Sequence, residues 1–149
     1  MRVVRVVIFS ILLFTSCRKA KTCEEPRLDC QGIQCIVYWY YFDFRLIDKV
    51  SGEDLVFSTN PRYSGNDIKL FSDVARTVPI QYTIDNSRKI LQVAKANGEM
   101  YLEITGTDVY KLTASFRSID CCSNTVKDLW SDGQMICSCC TAAASLPIR

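Results

Sequence analysis

The sequence predicts an all-β domain, an antiparallel β-sandwich of about seven to eight short strands. Three observations predict it. Short runs rich in aromatic and β-branched residues alternate apolar with polar positions. Clusters of Gly, Asn and Asp punctuate those runs at hairpin-like intervals. No stretch sustains the 3.6-residue period of an amphipathic helix.

Taken in order, residues 35–47 (CIVYWYYFDFRLI) read as one long strand. Phe42, Phe44 and Leu46 fall on one side, and Asp43 and Arg45 on the other, close enough to pair across the surface. DKVSGED (48–54) is a turn in which Gly52 takes a positive φ, and LVFS (55–58) a second strand. TNPRYSGND (59–67) is a loop marked by Asn-Pro and Gly-Asn, and IKLFS (68–72) a third strand. TVPIQYTI (77–84) and RKILQVA (88–94) flank DNS as a hairpin. MYLEIT (100–105) and VYKLTASFRS (109–118) follow the NGE and GTD turns. TVKDLW (125–130) reads as a helical turn, and MIC (135–137) and SLPIR (145–149) as final strands.

Ahead of the strands, MRVVRVVIFSILLFTSC has the order of a secretory signal. Arg2 and Arg5 form a positive start, Val6 to Phe14 a short apolar run, and Thr15 and Ser16 the small residues of a cleavage site. The run is shorter than the roughly 20 residues that cross a bilayer. The end of this leader, LLFTSC, resembles a bacterial lipobox, with Ser16 in the small position before Cys17. With lysine and arginine directly after it, it is similar to the leaders of small lipoproteins of Bacteroidetes-type bacteria. The resemblance implies removal of residues 1–16 and acylation of Cys17 with several chains such as palmitate. Two chains suffice for stable anchoring, at about 0.8 kcal/mol per buried methylene. Residues 17–34 then form a polar tether, and 35–149 the sandwich. Arg18, Lys19 and Lys21 stand where surface-exported members carry an acidic run, which favours the periplasmic side of the envelope over the cell surface.

Charge and composition narrow the function classes. The chain has 18 basic and 16 acidic residues; Arg2 and Arg5 precede Cys17, so 16 basic face 16 acidic beyond it. That balance gives no net pull toward nucleic acid, whose binding rests on neutralising phosphates. The chain has no histidine, hence neither the commonest general base nor a Ser-His-Asp triad.

Eight cysteines remain after Cys17: Cys23, Cys30, Cys35, Cys121, Cys122, Cys137, Cys139 and Cys140. An even number in an exported domain reads as a disulfide framework. Five of them lie in the last third, so full pairing requires at least one bridge between the two ends of the mature chain. The adjacent pairs Cys121–Cys122 and Cys139–Cys140 each call for other partners. Sequence leaves the pairing open among 105 possibilities. A thiolate metal site is the rival reading, on local thiol density alone.

Two further local resemblances concern the sandwich. TDVYKL (107–112) resembles the tyrosine corner of immunoglobulin-like folds, which implies that the Tyr110 hydroxyl caps a neighbouring backbone group. IDKVSGEDL (47–55) is similar to the first strand and turn of carboxypeptidase-regulatory-like and transthyretin-like domains, matching at Ile47, Asp48, Gly52, Glu53 and Leu55. Neither implies a catalytic residue.

Candidate binding residues are aromatic and loop-borne. Trp39 and Tyr41 share one face of the first strand and Tyr38 and Tyr40 the other. One face fills core, and the other offers a stacking surface for a sugar or peptide. Arg62 and Tyr63 lie on the 59–67 loop, where binding residues concentrate. Asp48, Glu53 and Asp54 surround one turn, but their order does not fit a calcium loop. The sequence therefore predicts a lipid-anchored, non-enzymatic envelope module with no cofactor. Its expected partners are the membrane, through the acyl chains, and another envelope protein or a glycan. The alternatives are an exported hydrolase with an acidic site and a cysteine-based metal or redox protein.

Overall fold

A computed structural model of the protein describes residues 23, 25–105 and 108–149, and of Asp108 the backbone alone. The leader and Cys17 lie outside the described residues. Nine strands form the fold: β1 (Trp39–Asp48), β2 (Ile68–Phe71), β3 (Tyr82–Asp85), β4 (Ile90–Val93), β5 (Glu99–Ile104), β6 (Asp108–Ser118), β7 (Ser123–Ser131), β8 (Gln134–Ser138) and β9 (Ala144–Ile148). A 3-10 turn, Gly65–Asp67, precedes β2. The domain is all-β among the described residues.

The strands run β2-β5-β6-β7-β1-β4-β3, with β8 added beside β7 and β9 beside β1. The sheet is mixed, which corrects the expectation of a wholly antiparallel one. β1 runs parallel to β7 through Trp39–Tyr41 and parallel to β9 through Phe44–Asp48, while it is antiparallel to β4. These parallel partners come from opposite ends of the chain, so no local turn signal announces their direction. The sheet also curls nearly into a barrel. Residues 78–80, just before β3, lie along the free edge of β2: Ser72 N–H donates to Val78 O at 3.0 Å and Ile80 N–H to Leu70 O at 2.7 Å. This segment covers the outer edge of β2, whereas β3, β8 and β9 each pair with one strand only.

Alternation places the core. Phe42, Phe44 and Leu46 of β1 are at most 1% exposed and meet Met100, Leu102 and Ile104 of β5, Leu112 of β6 and Leu146 of β9. Two local expectations fail for identifiable reasons. LVFS is no strand: the Asp54 carboxylate accepts the backbone N–H groups of Val56 (2.9 Å) and Phe57 (2.7 Å) and curls the chain. TVKDLW is strand, not helical turn. β6 residues Ser115 and Phe116 face Asp128 and Val126, so Lys127 is an extra residue on β7. That bulge turns both Val126 and Leu129 inward, imitating helical spacing.

All eight described cysteines are bridged: Cys23–Cys139, Cys30–Cys121, Cys35–Cys122 and Cys137–Cys140. Three of these bridges join the two ends of the chain, and the adjacent pairs bond elsewhere, not to each other. Cys35–Cys122 lies just ahead of the β1–β7 pairing, where Trp39 N–H donates to Cys122 O at 2.9 Å. The bridge thus brings together two strands that the sequence places far apart.

Candidate binding site

β1 presents its odd-numbered residues away from the core, so Trp39 and Tyr41 stand side by side. Their rings are inclined by only 13°, with centroids 6.3 Å apart. Residues 94–96 run beside this end of β1, because Ala96 N–H donates to Tyr40 O at 2.9 Å and Tyr40 N–H to Ala94 O at 3.3 Å. That places the Lys95 ammonium 5.7 Å from the Trp39 ring centroid, a cation–π contact. The opposite wall is the closing segment Val78, Pro79 and Ile80. Together these walls bound an open groove of about 460 Å³ that also carries Gln81 and Asn97.

The wall is held by Asp73. Its carboxylate accepts the N–H groups of Val78 (2.8 Å) and Thr77 (3.0 Å) and the Thr77 hydroxyl (2.9 Å). Those bonds, that of Val78 foremost, hold the Asp73 carboxyl below the usual carboxylate range. Arg76, at φ 57°, reaches from the same loop to Glu103 of β5, which Lys69 also approaches at 4.0 Å. The groove therefore has an aromatic floor edge, an apolar wall, one cation and two amides. It is suited to holding an extended, partly polar chain by stacking and hydrogen bonds.

The other candidates lie elsewhere. Tyr40 falls on the core-facing side of β1 but beyond the core's end, and Tyr38 lies just ahead of the strand; both are exposed, and Tyr40 packs edge-on to Phe116. Arg62 pairs with Asp48 (3.3 Å) and Tyr63 packs against the core. Asp48 ends β1, about 30 Å along the strand from Trp39 at roughly 3.3 Å per residue. The fold thus does not gather Trp39, Tyr41, Arg62 and Tyr63 into one site. Asp43 pairs with Arg88 (2.8 Å) and Gln92 (3.1 Å) rather than with Arg45. Asp48 turns its carboxylate onto the N–H groups of Val50 and Ser51, and Asp54 serves its own turn as described above. Among the described residues, no three His, Cys, Asp or Glu side chains stand together as metal ligands would. The Tyr110 hydroxyl accepts the Arg149 backbone N–H at 3.4 Å, 39 residues away in sequence.

Sequence reasoning missed Lys95, Pro79 and Gln81, whose approach to Trp39 depends on long-range closure. It also passed over the C-x-x-C spacing of Cys137 and Cys140, which was visible within CSCC. No family model matches the chain, nor does any curated protein or solved structure.

Proposed function

We propose that this is a lipid-anchored protein of the bacterial cell envelope, held on the periplasmic side through acyl chains on Cys17. There it serves as a non-enzymatic module that binds another envelope component. The observation that carries this reading is the end of the leader, LLFTSC followed by Arg18 and Lys19, which is similar to small Bacteroidetes-type lipoproteins. Four bridges in one domain accord with an oxidising compartment. The groove beside Trp39 offers a binding surface for a glycan or a segment of another envelope protein. β1 is shared between two groups of strands, β2, β5–β8 on one side and β3, β4 and β9 on the other. That division supports a sandwich of immunoglobulin-like or transthyretin-like type.

Intact mass of the native protein, before and after reduction, tests the anchor. The expected protein starts at Cys17, is heavier by its acyl chains, and gains two hydrogens for each bridge on reduction. A protein that begins at Met1, carries no lipid and is unchanged by reductant overturns the reading. Cross-linking in intact cells tests the partner: Trp39→Ala is expected to lose an adduct that the wild type forms.

A further inference from the structure

A second cleft, separate from the Trp39 groove, opens where β1 changes neighbours. β1 pairs with β7 up to Tyr41 and with β9 from Phe44, and between them, at Phe42 and Asp43, that edge pairs with neither strand. Two strands diverging from a third leave a crevice, and here it measures about 280 Å³. Two arginines line it. Arg88 is paired with Asp43, which lines it too. Arg117 of β6 is half-buried, and among the described residues no carboxylate lies within ion-pair distance of it. Its Nε is buried without a hydrogen-bond partner, and its Nη2 has only a long contact of 3.5 Å to Cys140 O. A guanidinium drawn out of water with its donors unfilled is costly unless an acceptor arrives. The lining groups therefore carry one positive charge more than they neutralise. Arg45, whose Nη2 donates to Arg88 O at 2.9 Å, stands alongside and adds to the positive field.

The rest of the lining is mostly apolar, with Ile119, Val126 and the small side chains of Ala142 and Ala143, and two hydroxyls, of Thr125 and Thr141, stand among them. We propose that this cleft binds a carboxylate borne on a small apolar group, with Arg117 as the bidentate partner. Guanidinium geometry matches a carboxylate's two oxygens. The apolar walls favour a ligand with a hydrocarbon body over the more strongly hydrated inorganic phosphate. The C-terminus of a peptide and a free short-chain acid share this chemistry.

Titration of the full-length, oxidised, isotope-labelled protein tests the proposal by amide NMR. The probes are trialanine, trialanine amide, butyrate and inorganic phosphate. Trialanine is expected to shift the amides of Thr125, Val126 and Ala142–Ala144. Loss of a charge-assisted bidentate contact in Arg117→Gln is expected to weaken this by about tenfold or more. Butyrate equal to trialanine identifies a free-acid site, and trialanine well above butyrate a peptide-terminus site; either outcome supports the proposal. Ala142→Phe, which fills the cleft and leaves Arg117 in place, is expected to abolish the shifts. Equal binding of the amide, shifts with phosphate alone, or no shift with any probe overturns it.

Discussion

A single phenol joins the two ends of the curled sheet. Tyr82, the first residue of β3, directs its hydroxyl at Gly65 O (2.6 Å) and Ile68 O (2.9 Å), at the entry to β2. Only one proton serves both carbonyls, so they share it. Burial, with the Asp67 charge second, raises the Tyr82 pKa above its ordinary value and keeps that proton in place. Tyr82→Phe is expected to destabilise by about 1 kcal/mol, the net worth of one such bond, with an unchanged m-value in urea. Gly65 is small because the strand opposite comes close: a Cβ there would lie 2.5 Å from Ile84 Cδ1. Ile84 is 40% exposed and its end can rotate, so Gly65→Ala is expected to cost less than Tyr82→Phe in the same experiment.

Strands and bridges act together at the next scale. Cys30–Cys121 and Cys35–Cys122 close nearly the same long loop, of 91 and 87 residues' separation, through adjacent cysteines. With one bridge in place, the other closes only a ring of a few residues. In the chain-entropy model, removing either alone costs about 2 kcal/mol. Removing both costs about 6, with Cys23–Cys139 still shortening the free loop. Guanidinium unfolding of the two paired-alanine variants and their combination measures this, and a strictly additive result contradicts it. How much of the architecture was legible in advance follows the same division between local and distant. β1, the β3–β4 hairpin, β5 and β6 were readable because alternation and turn residues lie next to each other in sequence. The Phe42–Phe44–Leu46 face was readable for the same reason. The β7–β8 hairpin carried a readable signal too: Asp132 and Gly133 both take positive φ between Ser131 and Gln134, as a two-residue turn requires. The parallel neighbours of β1 were not legible, nor was the groove that β1 shares with residues 78–81. Both arise from pairings across most of the chain. The Lys127 bulge misled in a specific way, by spacing two inward residues as a helix would.

At the level of the whole molecule, the set of titrating groups is unusually sparse near neutrality. There is no histidine, and the eight described cysteines are bridged. Among the described residues the shifted carboxylates move downward: Asp48, Asp67, Asp73, Asp85, Asp120 and Asp128. For Asp48, Asp73 and Asp120 the leading cause is a backbone N–H, from Ser51, Val78 and Cys122; for Asp67, Asp85 and Asp128 it is a serine hydroxyl, from Ser64, Ser87 and Ser138. A carboxyl with a lowered folded-state pKa contributes stability above its unfolded value, 3.8 here, and loses it as the pH falls through the folded one. At the alkaline end Tyr82 and Lys111 move upward. Tyr82 does so through burial, and Lys111 through its hydrogen bond to Glu99. Each contributes below its unfolded value, 10.0 and 10.5, and loses that contribution as the pH rises through the folded one. The expected profile is a plateau in denaturation midpoint from about pH 5 to 9, falling on both sides. The acid limb involves six carboxylates at once, so no single Asp→Asn variant should remove it, whereas Tyr82→Phe should soften the alkaline limb. A midpoint that changes steeply between pH 5 and 8 would mean that a group other than these controls folding.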